Sequence, residues 1–121
     1  MINKYFFNLK MKLQRFKKGY CDEDVWNINA FIENKLLALF KEYKKRERFG
    51  HPCGTTPEEW EKVIDRIIFL LTEMDEDTCS IQVDINSKDF RNVFLKQSEY
   101  RNKCKDELYD LLKQWHWNLW D

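Results

Sequence analysis

The chain has almost nothing in it that stops a helix. Its 121 residues contain three glycines and two prolines, and four of these five fall between Gly50 and Pro57. Glycine and proline are the two residues that cost most inside a helix. With breakers this scarce and 35% of the residues charged, the expectation is an all-α protein. Large apolar residues are too abundant for disorder. The length predicts one domain over residues 1–121, a bundle of about four helices with an irregular loop around residues 75–88.

Hydrophobic spacing outlines the four helices. The first runs roughly from residue 3 to 18, where Tyr5, Phe6, Leu9, Leu13 and Phe16 recur three and four apart and Gly19 supplies a stop. Such a stripe opposite basic residues can lie on a membrane surface. Burial against the other helices is the expectation, because those helices also have faces to cover. The second helix starts at "CDEDVW", with Asp22 as its cap and Glu23 and Asp24 near the positive dipole end, and continues through "KEYKKRERF" to a stop at Gly50.

"GHPCGTTPEEW" ends one helix and starts another. Pro52 and Gly54 turn the chain. Thr56 is the expected N-cap, Pro57 suits the first helical position, and Glu59 completes a capping box. Trp60, Val63, Ile64, Ile67, Ile68, Leu71 and Met74 form the third helix's buried stripe. Ile81, Val83 and Ile85 alternate with polar residues, but a lone strand has no partner, so this segment reads as loop. Asn86 or Ser87 then caps a fourth helix reaching about residue 118.

The charges cancel in total but not along the chain. Residues 1–50 carry 12 Lys+Arg against 6 Asp+Glu, and residues 51–121 carry 9 against 15. Lys10, Arg15, Lys17 and Lys18 are therefore candidates for phosphate or an acidic partner. The competing reading pairs them with the acidic half of the same fold or of a second copy.

No catalytic set emerges. Asp22 and Asp24 form a D-x-D, but helix capping accounts for both. His51 and Cys53 lack further ligands at metal spacing, and Cys53 has no base placed by sequence. Cys21, Cys53, Cys79 and Cys104 contain no C-x-x-C pair and read as free thiols. Neither a phosphate loop nor a serine elbow is present. The expectation is a non-enzymatic protein without cofactor or metal.

The tryptophans carry the binding candidates. Trp26 and Trp60 each follow an acidic helix start, where an indole packs against a neighbouring helix or forms a wall that stacks a base. Core packing is the expectation for both. Trp115, Trp117 and Trp120 crowd into "QWHWNLWD", and one helical face cannot bury all three, so Trp117 and Trp120 are candidates for an exposed, partner-covered end.

The motifs "GYCDEDVWNIN" (19–29), "GHPCGTTPEEWEKVIDRIIF" (50–69) and the terminal "NLWD" (118–121) resemble a widespread family of small bacteriophage and prophage proteins. The loop at 75–88 has no counterpart in that pattern. No activity is established for the family, so the resemblance implies no catalytic residue. It implies a gene product acting in the cytoplasm of a bacterial host. Asp22, Asp24, Trp26, Thr56, Glu59, Trp60 and Trp120 are its carried-over determinants.

Together these readings give an oligomeric binding or accessory protein that engages a host or phage macromolecule, in a role against host antiviral defence. The alternative is a sponge for a nucleotide second messenger, with Trp26 or Trp60 stacking the base. A third reading is nucleic-acid binding through the basic first helix, which the neutral total charge disfavours. No membrane partner is expected.

Overall fold

The computed structural model describes residues 3–46 and 50–120. The chain is all-α, with no strand among these residues. Its helices are α1 (Lys4–Lys18), α2 (Asp22–Trp26), α3 (Ile28–Lys45), α4 (Pro57–Met74) and α5 (Phe90–Trp115), followed by a 3₁₀ turn at His116–Asn118. By contact the chain divides into two compact units, Met1–Lys35 and Leu36–Asp121.

The first unit contains α1 and α2. Asn3 caps α1 by accepting the Tyr5 N–H at 3.0 Å. Gly19 ends it at φ 81, in the left-handed region that favours glycine, and donates its N–H to the Arg15 carbonyl. The α2 cap is one residue earlier than expected. Cys21 is the N-cap, and its N–H is taken by the Asp24 carboxylate at 2.8 Å. Asp22 is instead the first helical residue. Its N–H donates to Gln14 Oε1 at 2.8 Å, and its Oδ2 accepts from Gln14 Nε2 at 3.0 Å. A glutamine from α1 thus saturates a free donor at the start of α2.

The expected second helix is two helices. Asn27, at φ −134 and ψ 63, leaves helical geometry and separates α2 from α3. Apolar spacing runs unbroken across this point, so only the backbone reveals the break. α3 also ends early, at Lys45 rather than near Gly50. Residues 47–49 of the expected helix lie outside the described residues.

The expected burial of the α1 stripe is not met. Tyr5, Phe6, Leu9, Leu13 and Phe16 are all exposed, Phe16 by 89%; Met11 is the buried residue of this helix. The wheel explains why. At about 100° per residue, Met11, Gln14 and Arg15 lie away from the stripe, and Gln14 and Arg15 are the side chains bonded to α2. Trp26, expected in the core, is 67% exposed.

The second unit is built on α4 and α5, which run antiparallel. Trp60 meets Trp115, Arg66 meets Glu107, and Glu73 meets Tyr100. The core comprises Phe40 of α3, Trp60, Ile64, Ile67, Leu70, Leu71 and Met74 of α4, and Cys104 and Leu108 of α5. α4 starts as its sequence dictates. Thr56 Oγ1 accepts the Glu59 N–H at 3.1 Å, Glu59 Oε2 accepts the Thr56 N–H at 3.3 Å, and Pro57 is the first helical residue. Gly54, at φ 86, makes the preceding turn.

Residues 75–89 are irregular, as expected, but they are held in place. Gln97, buried on α5, donates to the Ile81 carbonyl at 2.8 Å. Arg101 donates from Nε to the Met74 carbonyl at 2.6 Å and from Nη1 to Glu76 at 3.1 Å. Residues 81–85 form no strand. α5 begins at Phe90 with Asp89 at its N-cap, rather than on Asn86 or Ser87, and ends at Trp115, where the 3₁₀ turn takes over.

Candidate functional site

The second unit brings together two motifs that are 64 positions or more apart in sequence: the turn after α3 and the C-terminal end. Gly50, His51, Pro52, Cys53, Asn118 and Trp120 line one recess of about 380 Å³. Leu36, Leu39, Phe40, Tyr43 and Leu119 line a second, apolar one of about 310 Å³. Leu119 and Trp120 are neighbours in the chain, so the C-terminal segment contributes to both. These volumes lie at the lower end of the range for ligand sites.

Local interactions shape the turn. Thr55 Oγ1 donates to the Pro52 carbonyl at 2.7 Å, and the Thr55 N–H reaches the same carbonyl at 3.1 Å. His51 Nδ1 lies 3.4 Å from Thr55 Oγ1. Pro52 is buried while His51 and Cys53 face outward. On the other side, the 3₁₀ turn places Trp117 edge-on to His116, with ring centroids 4.7 Å apart, and leaves Trp117 84% exposed. Trp120 is also exposed. Trp120 thus lines the first recess with an exposed indole, and Trp117 lies three residues before it in the chain, lining neither recess.

The sequence-derived candidates separate into distinct places. Trp60 is 1% exposed, packed edge-to-face on Trp115 with centroids 5.4 Å apart, and its Nε1–H donates to Tyr43 Oη at 3.1 Å. With its face covered and its donor satisfied, it has no surface for stacking a ligand. Trp60 is therefore removed from the binding candidates. Thr56 and Glu59 are occupied with each other in the capping box. Asp24 accepts from Cys21 N and pairs with Arg15, and these bonds hold its carboxyl below the ordinary range. Asp22 is engaged by Gln14 and lies 3.8 Å from Lys10.

Of the basic candidates, Lys10 and Arg15 thus face α2 acids. Lys17 and Lys18 form no ion pair among the described residues. Trp26 keeps an exposed ring in the first unit, Trp117 and Trp120 in the second. Sequence reasoning passed over His51, Cys53 and Asn118 as site residues. The signal was present in the two quoted motifs, but their meeting depends on α4 and α5 folding back on each other. Among the described residues no group of three or more His, Cys, Asp or Glu could hold a metal ion.

One buried polar cluster lies elsewhere in this unit. Glu73, 5% exposed, accepts from Tyr100 Oη at 2.7 Å and from the Ser80 N–H at 3.0 Å. The bonds from Ser80 and Tyr100 hold the Glu73 carboxyl below the usual range, against the effect of burial. The Glu73 carboxylate, with burial second, pushes the Tyr100 phenol up to about 12. Burial raises the Cys104 thiol. No buried side-chain nitrogen or oxygen among the described residues lacks a partner, and through Ser80 the cluster ties the 75–89 loop to the helices. No helix among the described residues is long and apolar enough to cross a membrane.

Comparison with known proteins found no matching family, no matching curated protein and no matching solved structure.

Proposed function

We propose that this chain is a non-enzymatic binding protein that engages a macromolecular partner through its C-terminal aromatic end. The observation that carries the reading is the pair Trp117 and Trp120, both exposed, with Trp120 lining the recess beside Gly50–Cys53. Tryptophan is the residue type in which binding energy concentrates, above all where it lines a recess as Trp120 does. The resemblance to small bacteriophage proteins supports a partner of host or phage origin. A counter-defence role in the host cytoplasm belongs to the same proposal. So does self-association, supported by the opposite charges of the two halves.

The experiment is affinity copurification of the tagged chain from phage-infected cells, beside Trp117→Ala/Trp120→Ala. The proposal expects a partner held by the parent and released by the variant, with thermal melting unchanged. Equal capture by both would overturn it. For self-association, light scattering at micromolar concentration decides, and a mass of one chain would refute it.

A second reading is a small-molecule binder for a nucleotide signal. The recess volume and the Trp120 ring favour it; Trp26 is the other available indole. It expects a thermal shift with cyclic dinucleotides that Trp120→Ala abolishes.

A further inference from the structure

We infer that α1 is a docking element for an anionic lipid surface. It is an amphipathic helix of 15 residues whose apolar face is not covered. At about 100° per residue, Tyr5, Phe6, Leu9, Leu13 and Phe16 fall within an arc of roughly 100°. All five are exposed. The side chains that tie α1 to α2 lie off this arc, because Gln14 and Arg15 reach Asp22 and Asp24 from the other side of the helix. Local packing is therefore already complete without the stripe.

The charges around the stripe identify what covers it. α1 contains six Lys or Arg residues and no acid. Lys12 lies roughly 20° beyond one edge of the arc and Lys17 roughly 20° beyond the other, and neither forms an ion pair among the described residues, whereas Lys10, roughly 40° beyond that second edge, lies 3.8 Å from Asp22. An open groove of about 310 Å³ lies at this second edge, lined by the apolar Phe6, Leu9 and Leu13 and by Lys10, Gln14, Lys17 and Lys18. Lysines on both flanks of an apolar face can extend their amines to headgroup phosphates while their methylene stems remain with the apolar residues. That pattern is how an interfacial helix lies in the headgroup plane.

The other occupants satisfy only part of it. Nucleic acid would take the cations and leave five apolar side chains in water. A second α1 would take the apolar side chains but bring the Lys12 and Lys17 that flank one stripe, unpaired among the described residues, against those that flank the other. The acidic half of a second copy would answer the charge and leave the aromatic area unmatched. An anionic bilayer supplies both the phosphates and the hydrocarbon. The helix is far too short to span one, so this is surface binding. It uses a face distinct from the C-terminal recess and does not depend on it.

The test is flotation of the full-length protein with vesicles of phosphatidylcholine alone or mixed with phosphatidylglycerol. The expected result is binding to the mixed vesicles, weak binding to the neutral ones, and steep loss with added salt. Lys12→Gln/Lys17→Gln is expected to weaken binding roughly 25-fold, at about fivefold per cation. Leu9→Ser/Leu13→Ser is expected to weaken it by at least about tenfold. Far-UV circular dichroism checks that α1 persists, and if the leucine variant unfolds it the lysine variant decides. Failure to float with anionic vesicles overturns the inference, as does binding indifferent to the lysine pair. Salt-sensitive binding to a DNA duplex with no vesicle binding assigns the cations to nucleic acid instead. A dimer that Leu9→Ser/Leu13→Ser dissociates, without vesicle binding by the parent, assigns the face to a second copy.

Discussion

Tyr100 Oη donates to Glu73 Oε1 across 2.7 Å, and the same carboxylate takes the Ser80 N–H with its other oxygen. One buried acid thereby joins α4, α5 and the loop between them. Replacing Tyr100 by Phe removes one of its two donors and leaves a buried charge with less support. The expected cost is about 1–3 kcal/mol in urea unfolding. Glu73→Gln should cost a similar amount, because an amide can accept from only one oxygen. A loss below a few tenths of a kcal/mol in both would mean that the loop is held by Gln97 and Arg101 alone.

The same contact sets a pH dependence at both extremes. Glu73 and Glu107 are held below their ordinary value of 4.5, by Ser80 and Tyr100 in one case and by Arg66 in the other. A depressed folded value means the unfolded chain binds protons more readily, so this stability is present above about pH 5 and declines as pH falls below it. For Tyr100 the sign is opposite. Its contribution is intact below its ordinary value of 10.0 and is lost as pH rises through about 12. Denaturant midpoints across pH should therefore fall at both ends; Glu73→Gln should flatten the alkaline arm and leave in the acid arm the share that Glu107 contributes.

Trp60→Phe is expected to lower stability by about 2–3 kcal/mol. The substitution deletes the Nε1–H bond to Tyr43 and leaves a void against Trp115 in a packed core. Binding of any partner at the C-terminal end should be retained by the folded fraction. A variant as stable as the parent would contradict the core placement.

Thr56→Ala is expected to cost about 1 kcal/mol, since it removes the acceptor for the Glu59 N–H at the start of α4. Thr56→Ser should recover most of that loss. Thermal melting of the two variants side by side makes the comparison, and equal melting points would show that the hydroxyl at position 56 contributes nothing to the cap.

The helices were legible where the cause is local. Thr56, Pro57 and Glu59 carry their instructions within four residues, and Gly19 ends α1 by its own backbone freedom. The break at Asn27 was not legible, because Val25, Ile28 and Ile32 keep helical spacing across it. Glu73 and Gln97 are not singled out by the sequence, since Glu and Gln are mostly exposed residue types. Only the arrival of Tyr100, Ser80 and the Ile81 carbonyl makes their burial affordable. The α1 stripe was plain in the sequence, but an apolar stripe does not say what covers it. The recess was missed for the opposite reason: His51 and Trp120 have no periodic relation and meet only because α5 returns along α4.

The distribution of the thiols has a practical consequence. Cys21, Cys79 and Cys104 are buried and Cys53 is exposed, with none of them in a disulfide. A maleimide dye applied to the native protein should therefore enter at a single position, on the wall that faces Trp120. The unaltered sequence thus carries its own reporter site, where quenching by the indole can register an arriving partner before that partner has been identified.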